Sequence, residues 1–572
     1  MSMKLKYLFI GSIIGFGGLT ACEDQLNYQE YSTLDKGYIS ESYLNVGGLV
    51  TNIYAQLDSD WGNYGGATLA SACDEAEYAW SNSTVHDFYN GAWSASNTIS
   101  STWTKNYAAI QQCNMFLENF LGLTFPDLRL NDDYESQMFR YNNYENEVRF
   151  LRAYFYFNLA REYGDVPLVT KVPSTDEVNT FERTPVQEVF KFIQDECDAI
   201  VDKIPADYTN LGDLALPEGQ PETARANRLA VLALKARTAL YAASPLFNPD
   251  QDADLWKIAA EANKAVIDSC KKYDCKLGAY DKLWGAENHR EKEMIFMRRS
   301  DKDNNSFEKY NFPIGVEGGS GGNCPTQTLV DAYEMKSTGK LWNEEGSGYS
   351  EADPYADRDP RFALTIAKNG DTKWPAYNAG ALQVYYGGSN AEPLSGATPT
   401  GYYLKKYCDG SIDLRAGSSS TKFHTWITFR LGEFYLNYAE AVAHYTGSVE
   451  IPLPGDKSPL TARQAVDIIR ARVDMPALRD EVRDMDIFWK RYKNERMVEL
   501  AFEGHRFWDV RRWKEGEVLK EITLMKITRN TNGTFNYRRE VRQRSWDNKM
   551  YLFPIPQSEL VKNQNLDQNP GW

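Results

Sequence analysis

Over much of the first half of the chain, apolar residues recur every three or four positions, the period of one face of an α-helix. Leu49, Ile53 and Leu57 mark such a face over 44–57, and Tyr107, Ile110, Met115 and Leu117 mark another over 103–121. Val148, Leu151, Phe155 and Leu159 continue the pattern over 145–163. The same spacing predicts helices over 186–204, 223–243 (Leu229, Leu232, Ala236, Leu240) and 254–270. Ala153, Ala160, Ala233, Ala236 and Ala243 lie along these stripes, and small side chains let helix axes come close. The expected fold class is mainly α, with helix pairs of the tetratricopeptide kind, although the strict 34-residue signature is absent.

From 276 to 425 Gly, Asn, Asp, Pro and Tyr interleave, so this middle reads as loop-rich, with short strands at 294–297 and 382–386. Helical spacing resumes over 427–445, 461–473 and 487–502, and the chain then ends in an extended, Pro-containing tail. The predicted organisation is an export signal over 1–21, a helical region over 22–275, and a second region over 276–572 with a loop-rich middle and a helical end.

Lys4 and Lys6 precede an apolar run from Tyr7 to Leu19, the layout of a signal peptide. The run falls short of the roughly 20 apolar residues a bilayer span needs and holds four glycines. Leu19-Thr20-Ala21-Cys22 resembles the lipobox of bacterial lipoproteins, in which the chain is cut before the Cys and acylated on it. Several acyl chains, at about 0.8 kcal/mol per buried methylene, make a firm anchor. Glu23 and Asp24 resemble the acidic tag that directs such proteins of the Bacteroidetes to the outer face of the outer membrane. Removing Cys22 from the eight cysteines leaves an odd number, which argues against a disulfide framework. Only Cys270 and Cys275 have the spacing of one local bridge.

The charge balance, 63 Lys and Arg against 79 Asp and Glu for a net −16, argues against a nucleic-acid partner. Aromatic residues reach 13 %, enough to supply a contact surface beyond the core. The five His show no zinc-ligand spacing, so no metal or catalytic residue is assigned. Gly318-Gly319-Ser320-Gly321-Gly322 satisfies G-x-S-x-G formally, but four glycines followed by Pro325 read as a flexible loop. Asp301-x-Asp303-x-Asn305 begins like a calcium loop, yet Ser306 and Phe312 stand where Gly and a bidentate Glu are required. A bound calcium ion is therefore unsupported, and no cofactor is expected beyond the lipid on Cys22. Asp74, Glu75 and Glu77 beside Tyr78 and Trp80 suit either the paired carboxylates of a glycosidase or a sugar-binding surface. The same ring-and-polar chemistry recurs in the loops at Asp60 to Tyr64, Tyr89 to Trp93, Asn323-Cys324, Trp342-Asn343, Trp374 and Tyr385-Tyr386.

Several strings resemble the SusD/RagB family of outer-membrane nutrient-binding lipoproteins. They are 147–157 (EVRFLRAYFYF) with 163–168 (YGDVPL), Arg358-Asp359-Pro360-Arg361, 430–441 (RLGEFYLNYAEA), 495–506 (ERMVELAFEGHR), and the tail strings Phe553-Pro554-Ile555-Pro556 and Asn569-Pro570-Gly571-Trp572. These read as architecture: Glu147 with Arg152, Glu433 with Arg430 and Glu499 with Arg506 are expected to form packed ion pairs, and Gly164 a helix stop. The resemblance implies tetratricopeptide-like helix pairs bearing irregular loops that hold a glycan or, in the RagB branch, a peptide. It also implies a lid over a SusC-like TonB-dependent transporter, passing ligand on chemically unchanged. By that analogy the ligand-binding candidates are Asp74, Trp80 and Trp93 in one loop region and Cys324, Trp342 and Tyr385 in another. The rival readings are a RagB-like peptide-binding importer subunit, a surface glycoside hydrolase using Asp74 and Glu77, and a helical adaptor for other envelope proteins.

Overall fold

The computed structural model describes residues 36–216, 222–300 and 302–572. Cys22, the export signal and Asp301 lie outside the described residues. The longer helices are α1 (Tyr43–Tyr54), α2 (Thr102–Asn119), α3 (Tyr134–Tyr163), α4 (Val186–Ile200), α5 (Arg228–Ala243) and α6 (Ala253–Lys272). They continue with α7 (Leu431–Thr446), α8 (Ala462–Ala471), α9 (Met485–Glu499) and α10 (His505–Arg512). From α2 to α8 each helix packs on the next, and α7 lies between α6 and α8. The boundary at residue 275 thus follows a change of texture, while the helical layer runs across it.

Local chemistry sets the helix ends. The Asn227 side chain accepts from Ala230 N–H at the start of α5, and Thr461 with Gln464 forms a reciprocal capping box on α8. Gly164 stops α3 at a φ of 72°. Helix α3 begins at Tyr134 rather than near 145, because the Tyr- and Asn-rich stretch 134–144 carries no apolar stripe to announce it.

The strands are β1 (Ala76–Tyr78), β2 (Met294–Arg299), β3 (Asn323–Pro325), β4 (Ile366–Ala367), β5 (Tyr403–Leu404), β6 (Thr425–Arg430), β7 (Glu521–Arg529) and β8 (Phe535–Gln543). They form four two-stranded antiparallel ladders, β1/β3, β2/β6, β4/β5 and β7/β8. Three segments differ from the expectation. Residues 427–430 are strand, because Trp426, Ile427 and Phe429 pair with β2, and helix begins only at Leu431. Residues 382–386 form no strand; Leu382 N–H donates to Asp371 O, and the Asn369 and Asn390 side chains take the N–H groups of Val384 and Gln383. The tail is not simply extended: it contains β7/β8, turned at Asn532-Gly533 with a φ of 85° at Gly533.

The residues expected to pair within their own motifs do form ion pairs, largely buried, but with distant partners. Glu147 takes Arg225, Arg152 takes Glu196, Glu433 takes Arg237 with Nε to Oε1 at 2.7 Å, and Arg506 takes Asp74. Arg430 reaches Glu499 at 2.7 Å, Glu503 at 2.7 Å and Glu293 at 2.9 Å. Arg361, fully buried in the loop-rich middle, reaches Glu495 at 2.6 Å and Glu499 at 3.0 Å on α9. This network fastens the middle onto the helices. The seven described cysteines are all free and buried.

Candidate functional site

Ladder β1/β3 sets Glu77 opposite Cys324, and Ala79 N–H extends the pairing to Gly322 O at 2.9 Å. The chain therefore delivers Trp80 beside the Gly-rich loop 315–322. Trp80 Nε1 donates to Ser320 O at 2.9 Å, and its indole packs so closely on Gly396 that a Cβ there would run into the ring. His86 Nε2 lies 2.9 Å from the Trp80 carbonyl and Nδ1 lies 2.8 Å from the Tyr89 hydroxyl. A carbonyl only accepts, so Nε2 is the protonated nitrogen in this contact. Ring and backbone of Trp80 are both held, and the side chain stays half-buried.

Loop 315–322 is not flexible in the way its glycines suggest. Ser320 N–H donates to Lys309 O at 3.0 Å and Gly321 N–H to Phe312 O at 2.8 Å. Gly321 has a φ of 66°, and a Cβ would collide with Gly396 O. The loop leads into strand β3, whereas a nucleophile elbow runs from strand to helix, so Ser320 does not occupy one.

Three further side chains stand around this loop. Tyr310, on the short helix Ser306–Asn311 just before the loop, is 45 % exposed. The Tyr377 hydroxyl donates to Glu317 O at 2.7 Å, and the Arg415 guanidinium lies 5.4 Å from the Tyr377 ring centre. Asp413 steadies Arg415 at 2.7 Å. Ring faces of this kind cover apolar surface of a polar ligand, and the exposed guanidinium offers donors to its hydroxyls. The sequence reading misses Tyr310, Tyr377 and Arg415, yet Tyr310-Asn311 and Tyr377-Asn378 repeat the ring-beside-amide pattern that singled out the other loops.

The structure distributes the six ligand-binding candidates differently from the expectation. Asp74 is 2 % exposed and receives Arg506 through two bonds of 2.9 and 2.7 Å. Glu77 is held by Arg544 and lies 3.5 Å from Arg542. Carboxylates locked on guanidinium groups are poorly placed to shuttle protons for glycoside cleavage. Trp93 is 3 % exposed and packs on Phe553 at 4.8 Å, Phe88 at 4.9 Å and Trp572 at 5.0 Å. Cys324 is fully buried, and that burial pushes its thiol up to about 12. Asp74, Trp93 and Cys324 thus offer no surface to a ligand. Trp342 and Tyr385 are half-buried but stand on hairpin β7/β8, with Arg539 3.5 Å from the Trp342 ring centre and Phe535 5.3 Å from Tyr385. Beside them Tyr386, Glu392, Lys526 and Arg538 line a cavity of about 200 Å³.

Asp303 accepts from the Thr421 hydroxyl, and among the described residues no group of three or more His, Cys, Asp or Glu side chains could hold a metal ion. Among the described residues no helix is long and apolar enough to cross a membrane.

Residues 292–572 match the family model described as "SusD family", and residues 25–240 match one described as "Starch-binding associating with outer membrane". A SusD-like protein P2 from Formosa agariphila is 26 % identical over 490 residues, covering 83 % of this chain and 81 % of that protein. The crystal structure of a SusD-like protein from Bacteroides fragilis superposes with a TM-score of 0.74 at 26 % identity, over 93 % of this chain and 98 % of that one. A second B. fragilis structure, of a SusD-like carbohydrate binding protein, has a TM-score of 0.72 at 24 % identity, covering 92 % of this chain and 100 % of the other.

Proposed function

The chain belongs to the SusD family, and from that premise we propose that it is a cell-surface glycan receptor of the outer membrane, without enzymatic activity of its own. It captures an oligosaccharide or polysaccharide on the loop cluster of Trp80, Tyr310, Tyr377 and Arg415. It then passes the ligand, chemically unchanged, to a SusC-like TonB-dependent transporter. A lipid on Cys22 holds it to the membrane facing outward, and binding needs no metal or other cofactor.

The observation that carries this reading is the fixed, half-buried Trp80 ring, bonded through Nε1 to Ser320 O of a tightly folded loop, with exposed Tyr310 on the short helix Ser306–Asn311 just before that loop. Aromatic faces held before binding spend little entropy on the ligand and suit a neutral, polar, flexible oligomer. The family description and the carbohydrate-binding relative support the ligand class. The engagement of Asp74 by Arg506 and of Glu77 by Arg544 supports capture rather than cleavage.

Isothermal titration of the mature protein against soluble polysaccharides and peptides tests this. Wild type binds at least one polysaccharide, and Trp80→Ala weakens binding by about tenfold or more, the worth of a well-made ring stack. Binding of peptides alone would place the protein with the RagB-like branch instead.

A further inference from the structure

A second aromatic cleft is built by the helices. The His444 imidazole, near the end of α7, is sandwiched between Trp256 of α6 and Trp489 of α9, with centroid distances of 4.1 and 4.2 Å and interplanar angles of 16° and 24°. This stack borders a cleft of about 570 Å³ that Trp513 and Glu515 close from another side, within the roughly 300–1,000 Å³ of small-ligand sites. None of its residues belongs to the loop cluster around Trp80.

The polar groups at the cleft are arranged for a neutral ligand. Lys493 is paired with Glu515, so those two charges cancel. Asp486 and Lys490 stand one turn apart on α9, both exposed, and among the described residues neither side-chain charge has a hydrogen-bond or ion-pair partner. One acceptor and one donor of opposite sign beside the half-buried Trp489 indole match a molecule with an apolar face and a hydroxylated edge. An apolar ligand would leave both charges unused.

We propose that the cleft at His444 and Trp489 is a second saccharide-binding site, taking a neutral sugar ring against Trp489 with its hydroxyls on Asp486 and Lys490. It rests on the reading of the protein as a glycan receptor. Two sites on one chain let a long polysaccharide engage both, which raises retention beyond either site alone.

The test is titration of wild type, Trp80→Ala, Trp489→Ala and the surface double variant Asp486→Asn/Lys490→Ala with a short neutral oligosaccharide of the polysaccharide that binds. The double variant changes exposed groups only and keeps the question open should Trp489→Ala fail to fold. Expected are two binding events per wild-type chain, survival of one in Trp80→Ala, and loss or about tenfold weakening of the other in Trp489→Ala and in the double variant. A single event that Trp80→Ala abolishes and both cleft variants leave unchanged overturns the second site and spares the first. A wild type that binds no saccharide overturns both.

Discussion

A carboxylate beside aromatic residues reads alike in a sequence whether it faces a sugar or a guanidinium. For Asp74 the guanidinium belongs to Arg506, far along the chain, and the pair is largely buried. Asp74→Asn should therefore lower stability by about 3 kcal/mol in denaturant titration, because it strands a buried Arg, while saccharide affinity stays within about twofold. Glu162 makes a pH prediction. Burial raises its carboxyl from an ordinary 4.5 to about 8, against the opposing pull of Arg161. The folded chain then holds this proton more tightly than the unfolded chain, a stabilisation complete below pH 4.5 and lost as pH rises through 8. Glu162→Gln should flatten the fall in melting stability between pH 5 and 8 by on the order of 2 kcal/mol. Glu440 has the opposite sign: burial alone would raise it, but Arg512 holds it down to about 2. Its contribution is present above pH 4.5 and fades as pH falls towards 2.

The helices were legible where an apolar stripe sets a buried face against a polar one, as in α2, α4 and α6. The stripe fails for the start of α3, where Tyr and Asn pack on several sides, and for 427–430, where the same residue types serve a strand. Hairpin β7/β8 hid behind its own charge. Arg538, Arg539 and Arg542 break the apolar alternation of β8, and the Asn532-Gly533 turn was the signal that remained. For the candidate site, local sequence identifies Trp80, but Tyr377 reaches the loop that holds it only through a contact between segments distant in sequence, its hydroxyl on Glu317 O. The ion-pair network makes those loops depend on the helices. Burial alone would raise the Glu499 carboxyl, but Arg472, Arg430 and Arg361 hold it well below the usual carboxylate range. Arg361→Ala should cost about 3–5 kcal/mol, read as a shifted denaturation midpoint, since it leaves Glu495 and Glu499 short of a buried partner. Gly321→Ala should weaken saccharide binding together with stability, because its Cβ collides with Gly396 O and displaces the loop that fixes Trp80.

The whole protein couples a helical layer to irregular loops, the arrangement its SusD-family membership predicts. The proposed lipid on Cys22 predicts that Cys22→Ala loses membrane retention while keeping its fold; cell fractionation and circular dichroism read the two effects separately. The central claim concerns where the glycan sits. A crystal structure of the mature protein soaked with an oligosaccharide shown to bind in solution tests that most directly. Sugar density is expected over Trp80 and Tyr310, with hydroxyls near Arg415 and an intact glycosidic chain. Density confined to hairpin β7/β8, leaving the Trp80 loop bare, would contradict it.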